Sequence, residues 1–420
     1  MRRAVVTLIC ALQGGAPMRA APAAAFEDPK SIPATSLQPT VLLSGPGWTV
    51  NPSVTMHYFN CRYTVTSPYG TFNPHCDAEF YEVIQDIQAI AVMKKIAGSK
   101  VFLDSLGKSV VAPLQVVGNV VKHPVDALGA LPMNLYGAGK STAERVKEQL
   151  SFTPQSKYED SVPMEVLGFS DAKRELAARL GVDPYSSNKV LQGELNKLAF
   201  AAYGGQMSIQ GLLSMVPAAA IAVGVAGLNM PVEMTSRVVD NSVTELRVLD
   251  RKDLAALGIP KASSDKFFRT SIYSPLRATL LVDALKRMAG VEGLTDYLNE
   301  AVKAEKQVDA IFYQKTAQMM SYYHKAIRPL KKIVILFDIP VGITMDGRLV
   351  ALLEYDYVWW TPRAQQVAMT LRSCPLPGGA KAPCEVWVSG RFSPLARQQL
   401  IAMGVTPFPQ AVQQLARIRR

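Results

Sequence analysis

Histidine is scarce in this chain: His57, His75, His123 and His324 are the only four in 420 residues. A serine or cysteine nucleophile would therefore have few bases to choose from. No H-E-x-x-H or G-x-S-x-G occurs, nor an S-x-x-K in a serine–lysine context, and no C-x-x-C or H-x-x-x-H spacing points to a metal. Acidic residues are outnumbered, 34 against 45 basic ones, for a formal charge of +11. The Lys and Arg are scattered, with one tight group at Arg417, Arg419 and Arg420, and no basic–aromatic pattern suggests nucleic-acid binding. What is abundant is apolar: 49% hydrophobic against 19% charged residues excludes a mainly disordered chain.

The first residues point to export. Arg2 and Arg3 form a positive start, Ala4 to Leu12 a short apolar run, and Ala21 to Ala25 a small-residue cleavage site, so residues 1–25 read as a signal peptide. Loss of Arg2, Arg3 and Arg19 leaves +8, a basic protein suited to an envelope partner or an anionic membrane surface in the periplasm or cell envelope. Cys10 falls in the signal. Cys61, Cys76, Cys374 and Cys384 remain as two local pairs, read as two disulfides in an oxidising compartment. A weaker alternative takes His57, Cys61, His75 and Cys76 as zinc ligands, although the adjacent His75 and Cys76 would point apart.

Residues 26–46, with four prolines among Ser and Thr, read as an exposed leader. Residues 47–138 read as a β-rich unit followed by amphipathic helices. Trp48 to Phe72 alternates aromatic and β-branched residues with polar ones, and Phe80, Ile84, Ile87 and Ala91 line a helix from Asp77 to Gly98. A polar linker is expected at 139–165 and a helical core at 166–330. Helices are expected after Ser170, from about Asn188, from Pro275, and in one run from Thr295 to Arg328.

Inside the uncharged stretch between Lys197 and Glu233, residues 209–230 are apolar enough to raise three readings: a buried hairpin, membrane contact, or a Gly/Ala loop. From 331 to 420 the pattern is β again. A hairpin turns at Asp346-Gly347, and a strand leads to a helix capped by Ser393. The fold class is therefore α+β.

The stretch GAGKST resembles a nucleotide loop, with Gly139, Lys140 and Ser141 in the phosphate-binding places. Asn134 occupies the position where the motif needs its first glycine, and Pro132 interrupts the lead-in, so the match is a decoy and no cofactor is expected. His324, among Ser321, Tyr322 and Tyr323, is a candidate general base, though a hydrogen-bonded helix histidine fits as well. Asp356, flanked by Tyr355, Tyr357, Trp359 and Trp360, is the carboxylate most suggestive of a site; alternating aromatics on a β-hairpin more often pack.

The segments YTVTSPYGTF, IQDIQAIAVMKKI, LGVDPYSSNKVLQGEL, ITMDGRLVALLEYDYVWWTP and VWVSGRFSPLARQQLIAMGV together resemble a group of exported proteobacterial proteins with no established activity. That resemblance implies export and carries over no catalytic residue. Together the readings favour a non-catalytic envelope protein that binds a partner or a membrane surface. The alternative is a periplasmic hydrolase-like enzyme centred near His324 or Asp356.

Overall fold

The computed structural model describes residues 26–28, 30–107, 169–203, 208–215, 232–374 and 382–418. The signal segment, the stretch Gly139-Lys140-Ser141, the linker 139–165 and residues 216–230 of the apolar segment lie outside the described residues.

The N-terminal part is β-rich. It contains β1 (Ser31–Pro33), α1 (Ala34–Leu37), α2 (Thr40–Leu43), β2 (Ser44–Gly45), β3 (Trp48–Val50), β4 (Ser53–His57), β5 (Asn60–Arg62), β6 (Val65–Ser67) and β7 (Gly70–Phe72). They form two small antiparallel sheets, β1-β4-β5 and β2-β3-β6-β7. The segment expected as an exposed leader is instead built into the fold. Ile32, Ala34 and Leu37 are buried with Trp48, Val54 and Tyr63. Glu27 accepts hydrogen bonds from the Trp360 amide and the Ser393 hydroxyl, both at 2.6 Å. Its prolines set extended entries to short helices rather than a solvated tail.

A long helix, α3 (Asp77–Ala97), begins and ends where its periodicity predicts. Phe80, Ile84 and Ile87 pack under the N-terminal sheets, while Ile90, Met93 and Ile96 pack on the next helical layer. That layer comprises α4 (Lys100–Gly107), α5 (Phe169–Leu180), α6 (Lys189–Tyr203) and α7 (Ile209–Ser214). Asn188 caps α6, its side chain accepting from the Val190 and Leu191 amides. Of the apolar segment, Ile209 and Leu212 are buried in this layer. No helix among the described residues is long and apolar enough to cross a membrane.

Next come α8 (Val232–Asp240), α9 (Val243–Ala256), α10 (Lys261–Arg269), α11 (Pro275–Lys286), α12 (Leu294–Ala301) and α13 (Gln307–Ala326). The largest core gathers α9 to α13, while Val238 of α8 packs in a smaller cluster with Tyr185, Val243, Leu276 and Leu280. The single helix expected from 295 to 328 is two, α12 and α13. The Asp309 carboxylate accepts from the Glu305 and Lys306 amides and so starts a new helix after a break.

The C-terminal part is a five-stranded sheet ordered β14-β12-β10-β9-β8. Its elements are β8 (Leu330–Leu336), β9 (Ile339–Thr344), β10 (Leu349–Leu353), β11 (Tyr357–Val358), α14 (Pro362–Ser373), β12 (Cys384–Val388), β13 (Arg391–Phe392), α15 (Pro394–Ala402), β14 (Val405–Phe408) and α16 (Ala411–Ile418). The hairpin at Asp346-Gly347 joins β9 to β10 as expected. A second, unexpected hairpin joins β8 to β9 through Phe337 and Asp338, whose φ angles of 51° and 62° are the left-handed pair such a tight turn needs. β10, β12 and β14 run parallel.

Every residue of LVALL in β10 and CEVWV in β12 is buried. A parallel strand covered on both faces reads as an apolar run, which LVALL shows throughout and CEVWV shows except at Glu385, whose carboxylate accepts from Tyr323 and the Trp387 indole. One face packs on α13 through Val350, Leu352 and Trp387; the other packs on α14 and α15 through Leu349, Leu353 and Val386. Many helices around several small sheets make this an α+β fold.

Candidate ligand cleft and acidic cluster

Three distant segments meet between the N-terminal sheets, α3 and the C-terminal sheet. β5 contributes Cys61, fully buried and opposite Met56 in the β4–β5 register. The first residue of α3 is Asp77, preceded by Cys76, whose sulfur accepts from the Glu79 amide as the helix cap. The chain leaving β10 contributes Asp356. The donor atoms of Cys61, Asp77 and Asp356 lie within 4.8 Å of one another.

Backbone interlocking holds the three together. The Phe59 carbonyl accepts from the amides of Asp356 and Tyr357, each at 3.0 Å. The Cys61 amide, 295 positions from Asp356, donates to Asp356 Oδ2 at 2.7 Å. Gly390 passes so close to Asp356 that a Cβ there would stand 1.8 Å from the Asp356 carbonyl oxygen. Only glycine allows that approach.

A chain of side chains orients the second acid. Tyr63 donates to Asp77 Oδ1 at 2.5 Å, Gln38 Nε2 donates to the Tyr63 oxygen at 3.0 Å, and Tyr81 donates to Gln38 Oε1 at 2.8 Å. Tyr63 is itself fixed by stacking on Phe80, with ring centroids 4.4 Å apart. Every member of this relay therefore sits on packed structure.

Asp356 is only 2% exposed, and its Oδ1 has no hydrogen-bond partner. Burial, and then the charge of Asp77, holds its carboxyl well above the usual carboxylate range. Asp77 is pushed up to about 6 by burial, with the Tyr63 and Gln38 hydrogen bonds pulling the other way. Glu354, two residues before Asp356, is buried and raised to about 7 by desolvation, and its Oε2 is also unpartnered. Burial first, and then Asp356, raises the Cys61 thiol.

The two aspartates face a cleft of about 780 Å³. Leu37, Val41, Leu42, Trp48, Ala91 and Val92 form apolar walls, and Tyr81, Lys95 and Arg391 add polar groups. Trp48 lies flat over Gly45 and donates its indole N–H to the Leu42 carbonyl at 3.1 Å, so the wall is held rigidly.

Of the residues singled out in the sequence, Asp356 enters the cleft and His324 does not. His324 Nδ1 accepts from the Leu330 amide at 2.9 Å where the chain turns from α13 into β8, and burial lowers its pKa. The aromatics around Asp356 pack: Tyr355 stacks on Phe312, and Tyr357 leans on Trp359.

The donor group around Cys61 contains the two aspartates rather than His57, His75 or Cys76. His57 and His75 are exposed. All four described cysteines are thiols. Asp77, Tyr63, Gln38 and Tyr81 were not singled out by sequence; Asp77 showed only as a helix start. Compared with protein-family models, curated proteins and solved structures, the chain matches none.

Proposed function

We propose that the protein binds a small, mainly apolar molecule in this cleft, with the molecule's polar end directed at Asp77 and Asp356. The carrying observation is the orphan oxygen of Asp356: a buried carboxylate oxygen without a partner costs roughly 1–3 kcal/mol or more, and a bound group would relieve that cost. Apolar walls with a few convergent polar groups are the usual form of a small-molecule site. The signal-like N-terminus, and the charge of +8 left when Arg2, Arg3 and Arg19 go with it, support a place of action in the cell envelope, near anionic surfaces.

The test uses Nile red, a neutral dye that brightens in apolar sites. Wild type should enhance its emission. Ala91→Trp, which fills the cleft from the partly exposed face of α3, should weaken that binding at least tenfold while leaving the circular dichroism unchanged. Full enhancement in a folded Ala91→Trp variant would remove the reading.

The pairing of two acids beside the cleft also favours an enzymatic reading, in which Asp77 and Asp356, and not His324, handle the proton. Ester hydrolysis by wild type that Asp77→Asn lacks would support it. Equal background rates in the two proteins would end it.

A further inference from the structure

We propose that Cys61, Asp77 and Asp356 form a binding site for a divalent metal ion of the zinc class, with a fourth coordination position open to the cleft. The inference rests on the cleft reading for what fills that fourth position, the polar end of the bound molecule; the donor set stands by itself.

Three protein ligands with one open position is the pattern of a reactive zinc site, whereas four closed ligands mark a structural one. A tetrahedral zinc ion holds sulfur and oxygen donors about 3.5 Å apart. Here the three donors already lie within 4.8 Å, so side-chain rotation of about 1 Å closes the set. The sulfur decides the metal class: thiolate selects zinc and its soft neighbours, while magnesium and calcium take oxygen alone.

The observation that points to an ion, beyond the mere crowding of acids, is Asp356. The Cys61 amide holds Oδ2, leaving Oδ1 buried and unpartnered in a residue 2% exposed. A carboxylate fixed by one oxygen and empty at the other is arranged as a monodentate ligand. Asp77 is oriented by the Tyr63 hydroxyl, which accepts from Gln38, itself held by Tyr81. Such outer partners orient metal ligands, and their removal costs about 10- to 100-fold in affinity. Arg391, on the cleft wall and the cation that acts on Asp77, offsets part of the negative charge of three ionised ligands around a doubly charged ion. Cys76 is occupied as the α3 cap, whereas the Cys61 thiol makes only a long contact to Met56 Sδ, at 3.7 Å, and lies beside both aspartates. Cys61 cannot both ligate and pair with Cys76, so the proposal and that expected disulfide exclude each other.

The test titrates the full-length chain, reduced and stripped of metal, with Co²⁺. One equivalent should bind, giving a thiolate-to-cobalt charge-transfer band and the visible absorption of four-coordinate cobalt, and Zn²⁺ should bleach both. Cys61→Ser should lose the charge-transfer band, Cys76→Ser should keep it, and Tyr63→Phe should weaken binding about 10- to 100-fold.

Absence of the band in folded wild type, its survival in Cys61→Ser, or a Cys61–Cys76 disulfide in protein recovered from an oxidising compartment would each overturn the proposal. Nile red binding without a cobalt band sinks the metal and leaves the cleft. A cobalt band without Nile red binding sinks the cleft and leaves the metal.

Discussion

Phe59→Ala is the perturbation that best tests how the cluster is held. Phe59 sits in the β4–β5 turn, 6% exposed, and inserts into the apolar face of the C-terminal sheet beside Leu353 and Val358. Its ring lies 5.0 Å from that of Tyr355, while its carbonyl takes the amides of Asp356 and Tyr357. The substitution removes the ring and keeps the carbonyl.

Truncating a buried Phe costs about 3–5 kcal/mol, of which the aromatic pair accounts for about 0.5–1.5. Since the ring is the apolar plug of the turn that meets the Asp356 segment, the loss should appear first as local opening there. At about 1.4 kcal/mol per decade, hydrogen exchange at the Asp356 and Tyr357 amides should quicken by about two to three and a half decades. Phe59→Leu should recover more than half of that. Unchanged exchange at those amides, together with a urea-unfolding loss below about 1 kcal/mol, would refute the view that this turn latches the N-terminal sheets to the Asp356 segment.

Asp86, buried on α3, accepts from Ser186 and Asn188 and is raised by burial from 3.8 to about 7. Its folded pKa lies above its unfolded one, so its contribution is fully present below about pH 4 and is lost as pH rises to 7, by at most about 4 kcal/mol. Asp86→Asn should shrink the fall in melting temperature between pH 5 and pH 8; an identical fall in both proteins would count against the assignment. Cys374 and Cys384, close enough that Cys384 adds to the burial that raises the Cys374 thiol, should form a disulfide under mild oxidation. That bond would close a short loop and stabilise the C-terminal part by about 3 kcal/mol, a gain that Cys384→Ala should lack. Two free thiols by mass mapping after oxidation would exclude it.

Where local physics is strong, the sequence reads directly. Caps at Asn188 and Ser393 mark helix starts because they satisfy backbone groups locally. Asp346-Gly347 marks a hairpin for the same kind of reason. Failures occur where a longer-range contact decides. The prolines of residues 26–46 suggest exposure, yet Glu27 finds the Trp360 amide and Ser393 on the far side of the chain. The β8–β9 turn uses Phe337 and Asp338 rather than a glycine, so nothing in its composition announces it. The break between α12 and α13 depends on one carboxylate reaching back to cap a new helix, in a polar stretch, Lys303 to Asp309, that contains neither glycine nor proline to mark it.

Each member of the cluster has an ordinary local explanation: Cys61 as a buried strand residue, Asp77 as an acid in the first turn of a helix, Asp356 as a polar residue leaving a strand. Asp356 attracts notice for its aromatic neighbours, which turn out to be packing and not platform. What makes it functional in character is a partner 295 positions away and an oxygen with none, and both are properties of assembly rather than of any window of sequence. One local trace did exist. Ser389-Gly390-Arg391 follows an apolar strand with a glycine where the strand-to-helix passage does not need one for a positive φ. Such a glycine means another backbone passes within contact, and the backbone it admits is that of Asp356.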